Sequence, residues 1–453
     1  MSLRKSNYDR SPFVAVTDAI HPCVVGWSKI AAELQRAIGR GRVEKPILVV
    51  DCYPGVDELA VLNELKSHLA PKLVIQAADA YHSTEKIEKL VAPFLGGDGA
   101  TFDRFSRLSL VNFFNAEPLW RFRRTIDELR EGLVLIVGCG ASLIAWGHIL
   151  VYADLARRTA HERFRRHEIG NLGVDNKTIA AELKYKRAFF VDWRLADRWK
   201  RPLISRWDYV LDTNNPIEPK LADAGDVRTG MREAATRPFR LVPAFDLAPW
   251  GGPGLKEVCE PDRNVENFGW CFDCLPEENS LLLGFGGTRF EIPAMDFLFH
   301  QPRTLLGEAV HSRFGDTFPI RLTHELAHGQ RERGTNWTDE ALVNCPQPIA
   351  KGDGWREEQT GLRERNFIEL RRHWFTKQVR HDTHGGVNVL NLVEGDEAVV
   401  ESPTAVFAPF VVHYAETFIV PAAVGEYTVR PHGPSLGKEC VTVKAFVRTS
   451  AGA

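Results

Sequence analysis

Two histidines and a glutamate stand at the spacing that zinc hydrolases use. His324, Glu325 and His328 form a His-Glu-x-x-His pattern, in which two imidazoles one helical turn apart hold zinc and the glutamate activates a water molecule. Residues 320–333 lie between Pro319 and Gly334 and could form the short helix that this chemistry needs. One hypothesis is therefore a zinc hydrolase, with Glu325 as the catalytic base.

Three other histidines lie where the sequence has the pattern of β-strands. His381 and His384 precede a predicted strand that ends at Glu394, and His413 lies in a later one. Imidazoles on neighbouring strands can form an open zinc site with three protein ligands. We therefore predict His381, His384 and His413 as metal ligands and zinc as the cofactor. The alternative is that they are polar histidines at strand edges and bind no metal.

The first half of the chain carries a strand, a glycine turn and a helix, as phosphate-binding loops do. Residues 51–58 read Asp-Cys-Tyr-Pro-Gly-Val-Asp-Glu, between a predicted buried strand and a helical pattern. A functional loop needs a lysine for the β- and γ-phosphates and a serine or threonine for magnesium. Because Val56 and Asp57 occupy those places, we predict a degenerate loop.

Three further residues are candidates for binding a substrate. Arg163 and Arg166 follow a predicted strand at residues 149–154, and a planar guanidinium suits a phosphate group. A solvated helix face is the alternative for these two arginines. Trp250 precedes Gly251 and Gly252, and glycines allow the backbone to approach a ligand closely.

Two resemblances to known families connect these residues. Residues 40–215, with arginine-rich helices after the Val-Tyr-Ala-Asp strand, resemble the nucleoside-kinase-like phosphate-loop proteins. Residues 243–252, 305–321 and 385–427 resemble the class I mannose-6-phosphate isomerases, beginning with their Trp-Gly-Gly segment. The second resemblance implies a cupin domain, a bound zinc ion and the interconversion of mannose 6-phosphate and fructose 6-phosphate.

The segment that carries the zinc ligands in the isomerase family has no recognisable counterpart in this sequence. The zinc ligands of that family come from a Gln-x-His pair, a glutamate and a later histidine. After residues 320–321 the chain contains no Gln-x-His-Pro block and no Gly-Thr-x-His block. Three functions remain open at this point: a protein related to the sugar-phosphate isomerases, a non-catalytic regulatory protein that binds a phosphosugar or a nucleotide, or the zinc hydrolase described above.

Composition and charge restrict the class of protein. The 453 residues are 44% hydrophobic and 26% charged, which is typical of a globular protein of two or three domains. The net charge of −2 gives no overall attraction to nucleic acid or anionic lipid. Eight cysteines are too few for a disulfide scaffold, and no apolar run is long enough to span a membrane. We expect a cytoplasmic protein whose partner is a small sugar phosphate.

The hydrophobic pattern predicts two domains that position the candidate residues. Residues 1–240 alternate continuous apolar runs with helical patterns, which indicates an α/β domain with a parallel sheet. Residues 241–453, above all after Gly386, consist of short strand patterns separated by proline and glycine turns. This pattern predicts a mainly β domain of the cupin or jelly-roll type.

Overall fold

A computed structural model describes residues 7–96, 105–245, 271–272, 278–318, 320, 346–360 and 367–449 of the chain. The chain divides into two compact units. The α/β unit comprises residues 16–229 and 283–296, and the β unit comprises residues 1–15, 230–282 and 297–453. No helix among the described residues is long and apolar enough to cross a membrane.

Strands and helices are labelled in chain order. The strands are β1 Phe13–Ala15, β2 Val24–Val25, β3 Ile47–Cys52, β4 Leu73–Gln76, β5 Val134–Gly138, β6 Ile149–Asp154, β7 Tyr209–Asp212, β8 Lys220–Asp223, β9 Ala244–Phe245, β10 Cys271–Phe272, β11 Ser280–Phe285, β12 Thr288–Pro293, β13 Gln347–Gly352, β14 Trp355–Gln359, β15 Ile368–Phe375, β16 Val379–Asp382, β17 Asn388–Glu394, β18 Glu397–Glu401, β19 Phe410–His413, β20 Thr417–Val420, β21 Glu426–Pro431 and β22 Cys440–Val447. The helices are α1 Trp27–Arg40, α2 Glu58–Leu69, α3 Thr84–Val91, α4 Ala116–Glu128, α5 Ala141–Ile144, α6 Arg157–Arg165, α7 Ala181–Arg187, α8 Trp193–Leu203, α9 Ala224–Ala234, α10 Ala294–His300, α11 Pro302–Leu306 and α12 Glu308–Phe314.

A seven-stranded sheet forms the centre of the α/β unit. Its strand order is β2-β8-β7-β6-β3-β5-β4. The five strands from β4 to β7 in this order are parallel to one another, and β8 and β2 add antiparallel edges. Strands β5 and β6 are buried at every position, as expected for parallel strands that are covered on both faces. The predicted parallel α/β sheet is confirmed.

Two antiparallel sheets pack face to face in the β unit. The larger has the order β13-β14-β15-β22-β17-β20, and the smaller has the order β16-β21-β18-β19. Side chains from both sheets meet in one apolar core, which includes Phe375, Leu392, Val400, Phe418 and Val429. The mainly β character predicted for this part of the chain is confirmed.

A buried ion pair ties the N-terminal segment to the β unit. The Arg240 guanidinium lies 2.6 Å from the Glu416 carboxylate, and both side chains are buried. The backbone N–H of Asp9 donates to Glu416 at 2.7 Å, and Arg240 donates to the carbonyl oxygen of Asp9 at 2.9 Å. Burial alone would raise the pKa of Glu416, but Arg240 and His413 hold it below its usual value. Glu416 is therefore ionised in the folded chain.

Removal of the buried charge at residue 416 is expected to destabilise the protein. The substitution Glu416→Gln removes the carboxylate that pairs with the buried Arg240, so we expect the free energy of unfolding to fall by about 3 kcal/mol. Urea denaturation at neutral pH measures this change. The control is Glu439→Gln, because Glu439 pairs with Arg356 at the surface and its loss should cost less than about 1 kcal/mol. Equal losses for the two variants would contradict the role given to the buried pair.

Candidate functional site

The parallel sheet has a switch point where α/β proteins commonly bind ligands. The chain runs from β3 to the edge strand β4, returns to β5 beside β3, and then crosses to β6 on the other side of β3. Ligands of open parallel sheets bind outside the carboxyl ends of the strands at such a reversal. Here the reversal lies between β3 and β6.

The protein's own side chains fill this crevice. Lys200 of α8 forms ion pairs with Asp154 at the end of β6 and with Asp296 of α10, and all three residues are buried. Its ammonium nitrogen also lies 4.7 Å from the centroid of the Tyr53 ring and 5.1 Å from that of Tyr152. Burial opposes the charge on Lys200, but Asp154 and Asp296 raise its pKa above the usual value. Lys200 is therefore a cation that pairs with two buried carboxylates of the same unit.

The turn after β3 is held by a second set of polar contacts. The hydroxyl group of Tyr53 donates to Asp197 at 2.8 Å and accepts a hydrogen bond from Arg157 at 3.2 Å. Arg157 also pairs with Asp197 at 2.5 Å. The carboxylate of Asp57 accepts the backbone N–H of Ala60 at 3.0 Å, so an anionic side chain already caps the helix end that a phosphate would approach.

The two predicted phosphate-binding arginines occupy different environments. Arg163 is buried and donates to the carbonyl oxygens of Gly55 and Thr213 at 2.8 and 2.6 Å. The Arg166 side chain is 65% exposed and lies 3.9 Å from Glu168. The structure does not bring these guanidinium groups to one pocket, and phosphate binding by either of them stays a prediction.

Loss of the Lys200 charge should unfold the α/β unit more easily. In Lys200→Met the buried carboxylates of Asp154 and Asp296 lose their shared cation, and we expect a loss of about 3 kcal/mol or more in unfolding free energy. The control is Lys377→Met, which removes an exposed pair with Asp353 and should change stability by less than about 1 kcal/mol. Chemical denaturation followed by tryptophan fluorescence compares the two. An unchanged midpoint for Lys200→Met would show that the pairing does not stabilise the unit.

The three histidines predicted as zinc ligands do not come together. His381 lies on β16 and His413 on β19, which are the opposite edges of the four-stranded sheet, three strand spacings or about 14 Å apart. His384 lies in the turn after β16 with an 85% exposed side chain, 3.3 Å from Asp382. His413 contacts Glu416 at 3.1 Å. One ion cannot contact all three imidazoles, so the predicted three-histidine site is wrong.

One group of potential ligands does come together in the part of the chain that the structure describes. Single ligand atoms of His21, Asp223 and Asp226 lie within 4.8 Å of one another. These carboxylates have structural partners: Asp223 accepts the N–H of Gly225 at 2.7 Å, and Asp226 accepts the N–H groups of Ile20 and His21. We therefore assign this group to the start of α9 and its attachment to the neighbouring segment.

The other predicted site residues lie outside the described residues. They are Trp250, His324, Glu325 and His328. The zinc hydrolase hypothesis and the role of Trp250 therefore stay predictions.

The inner face of the six-stranded sheet changes from apolar to charged along its strands. Paired residues of adjacent antiparallel strands share a face, and the register of β15 with β22 gives four inward pairs. From the apolar end to the charged end these pairs are Phe375–Cys440, His373–Thr442, Arg371–Lys444 and Glu369–Phe446. The His373 side chain is 1% exposed, whereas those of Arg371 and Glu369 are 28% and 13% exposed. The interior therefore has a closed apolar end and a charged mouth.

Two carboxylates hold the arginines at the charged mouth. Arg371 contacts Glu357 of β14 at 2.9 Å and Glu369 of β15 at 2.7 Å. Arg448, just after β22, contacts Glu369 at 3.0 Å. His373 contacts the same Glu357 carboxylate at 3.1 Å. Burial alone would raise the pKa of Glu357, but His373 and Arg371 lower it to about 2.

A buried lysine without a carboxylate partner lies deeper in the interior. Lys444 is 7% exposed, and its nitrogen lies 3.4 Å from Nδ1 of His381. Among the described residues, no carboxylate oxygen lies within 4 Å of that nitrogen. Burial, opposed by Glu357 and assisted by Arg371, lowers the pKa of Lys444 to about 8. Burial also lowers the pKa of His381, so this imidazole is neutral.

Unsatisfied polar atoms surround this lysine. Nδ1 of His373, Nε2 of His381 and Oγ1 of Thr442 are buried and have no hydrogen-bond partner within the described part of the chain. The His373 and His381 rings meet edge to face with centroids 4.5 Å apart, and His381 stacks on Tyr427 at 5.1 Å. Buried polar atoms are rarely left unpaired, so this cluster is the strongest candidate for a ligand site.

A separate cavity lies over the outer face of the four-stranded sheet. It has a volume of about 400 Å³, within the range of small-molecule sites. Its lining residues include the cross-strand pairs Arg380–Thr428 and Asp382–Glu426, which lie on the face opposite to the inward side chains of Val379 and Tyr427. Lys444 is not among the lining residues.

Known proteins resemble parts of this chain. A family model described as "Domain of unknown function (DUF8485)" matches residues 26–236, which include most of the α/β unit. No curated protein sequence matches the chain.

Solved structures of cupins and of an isomerase are similar to less than a quarter of the chain. Ectoine synthase from P. lautus is 13% identical over 24% of this chain and 73% of its own, with a TM-score of 0.19. An RmlC-like cupin from Shewanella frigidimarina is 21% identical over 23% and 84%, with a TM-score of 0.18. Mannose 6-phosphate isomerase from Salmonella typhimurium, bound to its substrate and a zinc atom, is 16% identical over 21% of each chain, with a TM-score of 0.16.

Cupins and a mannose 6-phosphate isomerase are among the similar structures, but TM-scores below 0.2 assign neither a fold nor an activity. This chain spans about a fifth of the isomerase. The resemblance to phosphate-loop kinases stays a prediction.

The cluster inside the β unit does not fit a zinc ion. His373 and His381 both offer an unpaired nitrogen, but no third ligand of the described residues lies close enough to both. The cationic groups of Lys444 and Arg371 lie beside these imidazoles and would repel a divalent cation. The donor set suits an anionic or hydroxyl-bearing ligand better than a metal.

We expect that substitution of the three histidines predicted as ligands leaves the zinc content of the purified chain unchanged. The substitutions His381→Ala, His384→Ala and His413→Ala each remove one imidazole that shares no ion with the other two. Plasma mass spectrometry of the purified full chain and of each variant measures the metal per chain. A loss of one zinc per chain in both His381→Ala and His384→Ala would contradict the arrangement described above.

Proposed function

We propose that the β unit binds a phosphorylated sugar inside its two-sheet structure. The observation that carries this proposal is the cluster of buried, unpartnered polar atoms around Lys444, His373 and His381. Sugar hydroxyl groups both donate and accept hydrogen bonds, so they can satisfy imidazole nitrogens and a threonine hydroxyl together. The resemblance to the mannose-6-phosphate isomerases supports the same class of ligand.

Charge at the mouth supports a phosphate on that sugar. Arg371, Arg448 and Lys444 supply three positive charges, whereas Glu357 and Glu369 supply two negative ones. With both nearby histidines neutral, the cluster has an excess positive charge and favours an anion. Guanidinium groups match the geometry of phosphate oxygens, so Arg371 and Arg448 would contact the phosphate and the deeper residues the sugar.

Calorimetric titration of the full chain tests this proposal. Mannose 6-phosphate is expected to bind at least about tenfold more tightly than mannose or inorganic phosphate, because only the phosphorylated sugar contacts both the mouth and the interior. Arg371→Gln should weaken binding of mannose 6-phosphate about tenfold and leave the weak binding of mannose unchanged. Circular dichroism establishes that each variant is folded.

A neighbouring arginine provides the matched control. Arg372 follows Arg371 on β15 and lies on the opposite face of the strand, next to Trp374. Arg372→Gln removes the same charge from the same strand and should leave the affinity for mannose 6-phosphate unchanged. The proposal is wrong if both variants weaken binding equally or if mannose binds as tightly as its phosphate.

A further inference from the structure

We propose that Arg313 of helix α12 contacts the phosphate of the bound sugar phosphate, and that α12 closes over the charged mouth when this ligand binds. The inference rests on the proposed function of the β unit and adds to it a further phosphate-binding residue and a lid. Two observations carry it. Helix α12 lies at the mouth end of the two sheets, and its arginine has no carboxylate partner among the described residues.

Helix α12 packs on the turn that connects the two sheets at the mouth end. The turn at residues 383–387 joins β16 of the smaller sheet to β17 of the larger one. Asn388, at the start of β17, pairs with Phe446 of the mouth, so this turn lies at the charged end of the interior. A side-chain carbon at Gly386 would lie 3.6 Å from a methyl carbon of Val310.

The last residue of α12 reaches the start of β15 on the other side of the mouth. The ring centroids of Phe314 and Phe367 are 5.1 Å apart, and the N–H of Arg448 donates to the carbonyl oxygen of Phe367 at 2.8 Å. Phe367 therefore continues the pairing of β15 with β22, on the inner face that also carries Glu369. Along its length, α12 thus contacts two parts of the rim of the mouth.

Arg313 carries a positive charge that no carboxylate of the described residues neutralises. Its guanidinium carbon lies 5.2 Å from the centroid of the Phe314 ring and 5.8 Å from that of Phe367. Among the described residues, no carboxylate oxygen lies within 4 Å of this guanidinium. By contrast, Arg371 and Arg448 each contact a carboxylate. The N–H groups of Arg313 can therefore all be given to phosphate oxygens.

The packing of α12 allows it to open easily. Val310 is the fully buried residue of this seven-residue helix, and Phe314 is half-buried. The exposed residues of the helix are Glu308, Ala309, Ser312 and Arg313. Elements with few buried apolar contacts open locally at low free energy, so the closed position of α12 depends on the contacts at its C-terminal end.

The turn before α12 is held tightly and provides the fixed end of the lid. The N–H of Val387 donates to the carbonyl oxygen of Leu306 at 3.2 Å. Gly307 has a positive φ of 86°, and a side-chain carbon there would overlap the carbonyl oxygen of Gly385. A movement of α12 therefore starts at this turn and displaces the end that carries Arg313.

Charge makes the closed position depend on the ligand. Arg371 and Arg448 lie at the mouth, and like charges repel Arg313 as the helix approaches them. A phosphate group at the mouth attracts all three guanidinium groups and reverses the sign of this interaction. We therefore expect α12 to be held more firmly in the presence of a sugar phosphate than in its absence.

Calorimetric titration of two arginine variants of the full chain tests the contact with phosphate. Arg313→Gln should weaken binding of mannose 6-phosphate about tenfold and leave the weak binding of mannose unchanged. The matched control is Arg303→Gln, because Arg303 is an exposed arginine of α11 that pairs with Glu308 at 2.8 Å, and its loss should leave the affinity unchanged. Equal affinities of the two variants for mannose 6-phosphate would overturn the role of Arg313.

Hydrogen exchange measured by mass spectrometry tests the lid. With saturating mannose 6-phosphate, the amides of residues 308–314 should exchange at least about fivefold more slowly than in the unliganded chain. Mannose at the same concentration should give no such protection, and Arg313→Gln should lose it even when saturated with mannose 6-phosphate. Exchange of this helix that does not change on saturation of the unaltered protein would overturn the lid.

The same measurements distinguish this inference from the proposed function. Binding of mannose 6-phosphate that depends on Arg371 but not on Arg313, without protection of α12, would overturn the lid and leave the binding function intact. Absence of binding by calorimetry would overturn both. The exchange measurement on the unaltered protein does not depend on whether a variant folds.

Discussion

The arrangement of buried charge decides what each unit of this protein can do. A charge removed from water is stable only next to an opposite charge or a strong hydrogen-bonding group. Lys200 and Arg240 have such partners in Asp154, Asp296 and Glu416, and these contacts hold the fold together. Lys444 has only an imidazole. That difference separates a lysine held by two carboxylates from a buried lysine that has no carboxylate partner among the described residues.

The sequence predicts the fold classes well because hydrophobic period is a local property. Continuous apolar runs such as residues 132–138 indicate strands buried on both faces, and short alternating runs after Gly386 indicate the antiparallel sheets. The inward positions of β15 are visible too, since Glu369, Arg371 and His373 alternate with other residues. The sequence alone does not indicate that these polar side chains point into the interior. Their direction depends on which face of β15 the second sheet covers.

The candidate ligands are harder to predict than the fold, and the errors have a common cause. His381 and His413 both lie on strands, but the sheet order places those strands at opposite edges. Conversely, Lys444 is 63 residues from His381 in the chain and meets it across the two sheets. Pairing of distant strands is a tertiary property, so spacing along the chain does not reveal which imidazoles share a site. The turn at residues 51–58 is predictable because the pattern of strand, glycine and helix is local, although its contacts with Arg157, Arg163 and Asp197 are not.

The turn after β3 also sets a limit on what engineering could add to the α/β unit. A side-chain carbon at Gly55 would lie 2.7 Å from the methyl carbon of Ala160, and Gly55 has a positive φ of 117°. Helix α6 thus rests directly on the turn. Placing a lysine and a threonine in the loop would not by itself make room for a triphosphate. Any redesign toward nucleotide chemistry would have to displace a whole helix first, which point mutations alone do not achieve.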